Sequence, residues 1–244
     1  MLALPRLLLS GRTNSGYCPV CRRKTVFLKT GDWLRDQYLC LFCHSIPRQR
    51  ALLQVLETEY PSWRTFRIHE SSPSGPASEK IRQQCPEYLE SQYFPDLLSG
   101  SSHNGVRCEN LEKMSIADEE FDLVITQDVF EHVMRPDLAF SEICRILKPG
   151  GAHIFTVPLY RGTRSVTRAT TTPEGIRHLQ EPVYHSNPVD KSGSLVTIDW
   201  GDDITDFIAS ASGMETAVFS CRDNHLGIDG EFREVFVSRK GDHF

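Results

Sequence analysis

Four cysteines have the spacing of a metal site. Cys18 and Cys21 form one Cys-x-x-Cys pair in YCPVC, and Cys40 and Cys43 form a second in YLCLFCH. Such a turn aims two thiolates at one point, and two turns joined by a short hairpin make a tetrahedral site suited to Zn2+. Between the pairs, TVFLKT reads as a strand, Gly31-Asp32 as a turn and DQYLC as the returning strand. That is the layout of a zinc ribbon. Four thiolates close the shell of the ion, so the zinc is expected to be structural, a staple for a module too small to hold a core of its own. Cys85, Cys108, Cys144 and Cys221 are scattered singly and read as buried thiols.

A second group of reactive side chains lies in residues 159–200. It includes Arg161, Arg164, Arg168, Arg177, His178, Tyr184, His185, Asp199 and Trp200. Long insertions in compact domains are often lids or binding loops. The mixture suits a polar, even anionic, ligand, and His178, Tyr184 and His185 are the candidate proton acceptors. Taken singly, each of these residues fits a solvated, partly helical loop. Taken together they read as a pocket.

The elements that must position these groups follow from the hydrophobic pattern. SIPRQRALLQVLETEY has apolar residues at helical spacing (Ala51, Leu52, Val55, Leu56), with Ser45 as the expected cap and Pro47 in the first turn. Arg48 and Arg50 on that turn are expected on a solvated face. FRIHE, EYLESQYF, GVRCEN, FDLVIT and AHIFTVP read as strands, with helices near EKIRQQC and from about Asp137 to Leu147. Lys148-Pro149-Gly150-Gly151 reads as the stop of that second helix, a glycine supplying positive φ at its cap. DDITDFIASASG reads as a further helix, and TAVFSC with EFREVFVSRK as a closing strand pair. Alternating strands and helices mean an α/β, doubly wound parallel sheet, whose ligands bind beyond the carboxyl ends of the strands.

Residues EEFDLVITQDVFEHVMRPDLAFSEICRILKPGGAHIFTVP resemble the central segment of class I S-adenosylmethionine-dependent methyltransferases, of the type 11-like group. There a Phe-Asp-Leu-Val strand leads into a Glu-His-Val turn, and a helix ending in Leu-Lys-Pro-Gly-Gly introduces the fifth strand. The resemblance implies a Rossmann-like, seven-stranded methyltransferase sheet over residues 64–244. Before it come an arm and zinc ribbon over residues 1–45 and a linking helix over 46–63. It also implies a cofactor site. Glu70 matches the acidic residue after the first strand and Gly75 one of the glycines, while Ser72 stands where a second glycine is usual. Gln92 falls on the acidic ribose-binding position, and Glu90 is the alternative. Asn110, beside Glu109, falls where the adenine amine is contacted. Thr126, Gln127 and Asp128 flank the methionine part. His132 invites a general-base reading, but a packed histidine that orients the turn is preferred.

The expected activity is methyl transfer from S-adenosylmethionine to an O or N atom of a small polar metabolite, such as a sugar or natural-product intermediate. The net charge of -5 argues against a large nucleic-acid substrate. Two alternatives stay open. One is an rRNA or tRNA methyltransferase gripping RNA through Arg22, Arg23, Lys24, Lys29 and Arg35 of the ribbon. The other is a non-catalytic adaptor that keeps only the fold. MLALPRLLLSGR, with Pro5 and Arg6 inside it, is too short to span a membrane and reads as an amphipathic arm. The chain therefore reads as soluble and cytoplasmic.

Overall fold

The structure, a computed structural model, describes residues 11–187 and 192–242. The expected arm lies, up to residue 10, outside the described residues. Strands β1 (Thr13–Cys18), β2 (Arg23–Lys29) and β3 (Tyr38–Cys40) form an antiparallel sheet, with the short helix α1 (Leu34–Gln37) ahead of β3. This is the ribbon. Helix α2 (Pro47–Glu59) follows, then a 3-10 turn at Trp63–Thr65. The expected boundaries near residues 45 and 63 fall just before α2 and at this turn. Pro47 opens α2 as expected, but Ser45 does not cap it. The Gln49 side-chain oxygen Oε1 accepts the Ile46 N–H at 3.2 Å instead, and Ser45 turns to the cysteines.

The remaining elements alternate. They are β4 (Arg67–Ser71), α3 (Gly75–Gln84), β5 (Glu87–Gln92), β6 (Ser102–His103), β7 (Val106–Cys108), β8 (Phe121–Gln127), α4 (Pro136–Ile146) and β9 (Leu147–Thr156). After an insertion come α5 (Ile204–Ser212), β17 (Glu215–Ser220) and β18 (Glu234–Arg239). The main sheet runs β17-β18-β9-β8-β4-β5-β7-β6. Strands β7, β5, β4, β8 and β9 are parallel, and β18, β17 and β6 are antiparallel to their neighbours. The chain reverses its direction of winding between β4 and its neighbours β5 and β8, which opens a crevice at their carboxyl ends. The expected seven strands are present, and the two-residue β6 adds an eighth at the edge.

Apolar runs explain the central strands. Leu123, Val124 and Ile125 in β8 are fully buried, as sheet covered on both faces requires. One face packs on α2 and α3. Ala51, Leu52, Leu53, Val55 and Leu56 of α2 join Ile68, Leu123, Ile154 and Val237 of the sheet. Each fully buried aliphatic side chain contributes about 2 kcal/mol. Phe27, Tyr38 and Val20 of the ribbon belong to the same cluster, so the ribbon is not a separate bead. The other face packs on α4 and α5 through Phe130, Phe140, Ile143, Trp200 and Ile208. No helix among the described residues is long and apolar enough to cross a membrane.

Two local expectations are corrected. Helix α4 ends at Ile146, before Lys148-Pro149-Gly150-Gly151. Those residues lie inside β9, where the pairing with β8 shifts register between Phe121 and Leu123. Gly150, at φ +73°, serves this irregularity rather than a helix cap. The insertion is also not helical. It consists of β10 (Leu159–Tyr160), β11 (Val166–Thr167), β12 (Ala169–Thr172), β13 (Gly175–His178), β14 (Tyr184–His185), β15 (Ser194–Leu195) and β16 (Ile198–Gly201). Strand β16 pairs with β10 and β11, while β12-β13 and β14-β15 are antiparallel pairs.

Candidate active site

The four cysteines converge. Cys18 Sγ lies 3.7 Å from Cys43 Sγ, and Cys21 Sγ 3.8 Å from Cys40 Sγ. All four sulfurs lie within 4.8 Å of one another. A tetrahedron with metal–sulfur bonds of about 2.3 Å has edges of about 3.8 Å, so the cluster has the size of such a site. The Ser45 hydroxyl is 3.4 Å from Cys18 Sγ and 3.2 Å from Cys43 Sγ, and the Thr25 hydroxyl is 3.4 Å from Cys40 Sγ. Arg50 is fully buried beside them, not solvated as expected. Its guanidinium donates to the carbonyl oxygens of Gly227, Tyr38 and Ser45 and lies over the Phe27 ring at 4.6 Å. Among the described residues no carboxylate pairs with it, and four thiolates around Zn2+ would carry the balancing negative charge. The ribbon docks closely at Gly227, where φ is +66° and a Cβ would meet the Phe27 ring at 2.6 Å.

A cavity of about 1010 Å³ opens at the carboxyl ends of β4, β5, β7 and β8. Its lining includes Ser71, Ser72 and Ser74 after β4, Gln92 and Tyr93 after β5, Asn110, Leu111 and Glu112 after β7, and Gln127, Asp128 and Val129 after β8. Of the residues expected at a cofactor, Ser72, Gln92, Asn110, Gln127 and Asp128 line this cavity. Glu70, Gly75, Glu109 and Thr126 do not; they stand behind it. Glu70 is fully buried and accepts from Ser78 Oγ at 2.6 Å, Gln127 Nε2 at 2.9 Å and Tyr88 Oη at 2.8 Å. Burial pushes its carboxyl above the usual range, against the pull of those donors. Glu109 is held by Arg107 and Ser115, and the Thr126 hydroxyl by His153. Gly75, at φ +74°, lets the side chain of Gln49 approach, and Gln49 Nε2 donates to the Ser74 carbonyl at 3.3 Å. Glu90 pairs with Arg82 and is absent from the lining.

The opposite wall comes from elsewhere in the chain. Trp33, Arg35 and Asp36 belong to the ribbon, Arg48 to α2, and Tyr160, Thr171 and His185 to the insertion. Phe232 joins Trp33 at 6.1 Å and Tyr160 at 5.1 Å, edge to face, to make an aromatic side. The two arginines clasp one carboxylate. Arg35 Nη2 is 2.6 Å and Arg48 Nε 2.9 Å from Asp128 Oδ2, and Arg48 also pairs with Asp36. Thr156 Oγ1 donates to Asp128 Oδ1 at 2.9 Å. Burial works against the Asp128 charge, yet Arg48 and Arg35 outweigh it and hold the carboxyl below its ordinary range. Asp128 sits at φ +53°, a conformation that a non-glycine residue adopts where the surroundings impose it. Arg48 is therefore a cavity residue, not a solvated one. Arg35 is likewise withdrawn from the basic ribbon surface that an RNA-gripping role would use.

The three expected proton acceptors separate. His185 lines the cavity, whereas His178 and Tyr184 are exposed and are not in its lining. His132 lines it too, in the Glu131-His132-Val133 turn. Thr197 pins that turn, donating from N to the Glu131 carbonyl at 2.7 Å and from Oγ1 to the Val133 carbonyl at 2.7 Å. His132 is thus both the packed residue expected and a cavity wall. Burial lowers its imidazole to about 4 and lowers that of His185. Trp33, Arg35, Arg48, Tyr160 and Phe232 have no local sequence signal for this role. The pairing of arginines early in a ribbon and a helix with an acid after β8 is the one trace, and it is visible only once the ribbon is docked.

Residues 74–155 match the family model described as a methyltransferase domain. The chain matches that model over about a third of its length. Over 57 residues it is 37% identical to malonyl-[acyl-carrier protein] O-methyltransferase of Methylococcus capsulatus, a match that covers 23% of this chain and 21% of that protein. The chain thus spans about a fifth of the length of the curated relative it matches. By structure it is similar to an S-adenosylmethionine-dependent methyltransferase from Mesorhizobium loti, with TM-score 0.50, 16% identity, and coverage of 78% of this chain and 98% of that one. It is also similar to a chain from the Haloferax volcanii complex that contains the Trm112 methyltransferase activator. There the TM-score is 0.52, the identity 16%, and the coverage 81% of this chain and 91% of that one. The fold is the Rossmann-like methyltransferase fold.

Proposed function

We propose that the protein transfers a methyl group from S-adenosylmethionine to an O or N atom of a small polar acceptor. The observation that carries this reading is the single cavity in which strand-end residues face a wall built by the ribbon, α2 and the insertion. Its volume suits a cofactor with a small acceptor beside it. S-adenosylmethionine supplies a methyl group activated on a sulfonium. The Ser71–Ser74 loop has small side chains and a left-handed Ser72 (φ +55°), which lets backbone approach a ligand closely. We assign the cofactor's ribose to Gln92 and its adenine to Asn110 and Leu111. Gln92 offers a neutral acceptor where a carboxylate would bind both hydroxyls more strongly.

Asp128, fixed by Arg35 and Arg48, holds the ribbon against the strand ends and so completes the acceptor side. Trp33, Tyr160 and Phe232 form an aromatic side there, and alignment of the acceptor is what methyl transfer asks of the protein. Of His178, Tyr184 and His185, only His185 is retained in this role. With His132 and Glu131 it handles the acceptor's reacting atom. Zn2+ at Cys18, Cys21, Cys40 and Cys43 is assigned a structural part, since four sulfurs leave no open position.

Calorimetry with S-adenosylhomocysteine on the full chain tests the reading. Saturable one-to-one binding, weakened about tenfold or more in Asn110→Ala, supports it. No heat and no thermal shift at millimolar ligand overturns it and leaves the non-catalytic adaptor.

A further inference from the structure

Glu131 is 2% exposed, and neither of its carboxylate oxygens has a hydrogen-bond partner among the described residues. A buried carboxylate without donors costs several kcal/mol unless something compensates it. Every other carboxylate of the cavity region is satisfied: Asp128 by two arginines and Thr156, Glu112 by the N–H groups of Met134 and Arg135, and Glu70 by three donors. What Glu131 faces is a pair of imidazoles. Its Oε1 lies 3.8 Å from His132 Nε2 and 3.8 Å from His185 Nδ1, too far for hydrogen bonds. The two rings stand perpendicular, with centroids 5.0 Å apart.

The protonation of His132 is fixed by its other nitrogen. His132 Nδ1 lies 2.9 Å from the Leu195 carbonyl oxygen, which can only accept. Nδ1 therefore carries the hydrogen, and Nε2 turns a lone pair towards Glu131 and His185. An imidazole oriented by a backbone carbonyl behind it is the arrangement that metal-binding histidines adopt. The ligand atoms of Glu131, His132 and His185 all lie within 4.8 Å of one another. Contraction by about 1 Å would bring three donors to the 2.0–2.2 Å bonds of a bound ion. The short strand carrying His185 is the part able to move, because its imidazole is 43% exposed while Glu131 and His132 are held by Thr197 and Leu195.

We propose that Glu131, His132 and His185 bind one divalent first-row transition ion whose remaining coordination positions open into the cavity. Two imidazoles and one carboxylate suit Zn2+, Co2+, Ni2+ or Fe2+ and fall short of the all-oxygen shell that Mg2+ prefers. Unlike the cysteine site, this one has three protein donors and thus room for an exogenous ligand. That ligand is an oxygen of the methyl acceptor. An acceptor hydroxyl bound there gives its proton to solvent more readily and presents the resulting oxygen for methylation. The acceptor's part rests on the methyl-transfer reading, whereas the ion site itself does not.

Cobalt titration of the full chain carrying one equivalent of Zn2+, with inductively coupled plasma quantification of both metals, tests the site. The expected result is one zinc retained at the cysteines and one further equivalent of Co2+ with the weak visible bands of a nitrogen–oxygen shell. Glu131→Gln, which keeps the side-chain shape, and His185→Ala, at a half-exposed position, should each weaken that second equivalent about 100-fold or more. The zinc content should not change in either variant. No second equivalent in the wild type, or a second equivalent unaffected by both substitutions, overturns the proposal. S-adenosylhomocysteine calorimetry on the same preparation separates this failure from a failure of the methyl-transfer reading.

Discussion

Arg35→Met should uncouple the ribbon from the strand ends that line the cavity. The Arg35–Asp128 pair is 2.6 Å long, and its side chains are 9% and 14% exposed. Breaking a buried pair outright costs about 3–5 kcal/mol, because it strands a charge. Here Asp128 keeps Arg48 Nε at 2.9 Å and Thr156 Oγ1 at 2.9 Å, so the loss is nearer that of one charged hydrogen bond. That is about 2 kcal/mol. Methionine preserves the apolar stem beside the Phe232 ring, which the guanidinium approaches at 5.6 Å. For a chain of this length, about 2 kcal/mol lowers the melting temperature by about 4–8 °C. The assay is urea unfolding of zinc-loaded wild type, Arg35→Met, Asp128→Asn and the double variant. The expected coupling energy is about 1.5–2 kcal/mol. Additivity within about 0.5 kcal/mol would refute the claim that this pair joins ribbon to site.

Four further outcomes follow from the same structure. Cys40→Ser should release the zinc and, through Arg35, lower affinity for S-adenosylhomocysteine about tenfold or more; metal analysis with calorimetry would contradict this if a metal-free variant bound normally. Glu70→Ala should destabilise the fold rather than simply weaken the cofactor, since Ser78, Gln127 and Tyr88 lose their shared acceptor; the expected loss is about 2–4 kcal/mol by urea unfolding. Gln92→Glu should tighten S-adenosylhomocysteine binding about five- to tenfold by restoring charge at the ribose position, and unchanged or weaker binding would remove Gln92 from it. Acid should destabilise the protein through its buried histidines. Burial holds His69 and His153 down to about 3, so below about pH 6.5 the unfolded chain takes up protons that the folded chain refuses. Stability is then full above about pH 6.5 and falls towards pH 3, with a slope of up to about 3 kcal/mol per pH unit for the two rings together. His153→Gln should reduce that slope by up to about 1.4 kcal/mol per pH unit, one ring's share, in pH-dependent urea unfolding.

The ribbon, the central strands and α4 were legible because each leaves a local signal. Cysteine spacing, unbroken apolar runs such as LVI in β8, and the 3.6-residue stripe of Ala139, Phe140, Ile143 and Ile146 do not depend on what packs against them. The cofactor region was legible to the nearest strand end but not to the side chain. Successive residues of a strand point to opposite faces, so Glu109 turns inward to Arg107 and Ser115 while Asn110 faces the cavity. Glu70 is likewise consumed by the packing of β5, α3 and β8, and Ser71 and Ser72 take its place in the lining. The cavity wall opposite the strand ends was least legible. Arg35 meets Asp128 across 93 residues of sequence, and Arg50 meets Gly227 across 177. Such pairs exist only after the ribbon docks. Arg48 and Arg50 looked like a solvated face because helical periodicity reports one partner surface, and α2 has two, the sheet and the ribbon. His178 and Tyr184 have the right side-chain type for a proton acceptor, but the β12-β13 and β14-β15 pairings expose them and bring His185 to the cavity.

The most direct measurement is a crystal structure of the full chain with S-adenosylhomocysteine. The adenosine is expected among Gln92, Asn110 and Leu111, and the sulfur facing the chamber bounded by Asp128, His132, His185 and the ribbon's Arg35. A ligand bound away from these strand ends, or a cavity left without ligand at saturating concentration, would contradict that expectation.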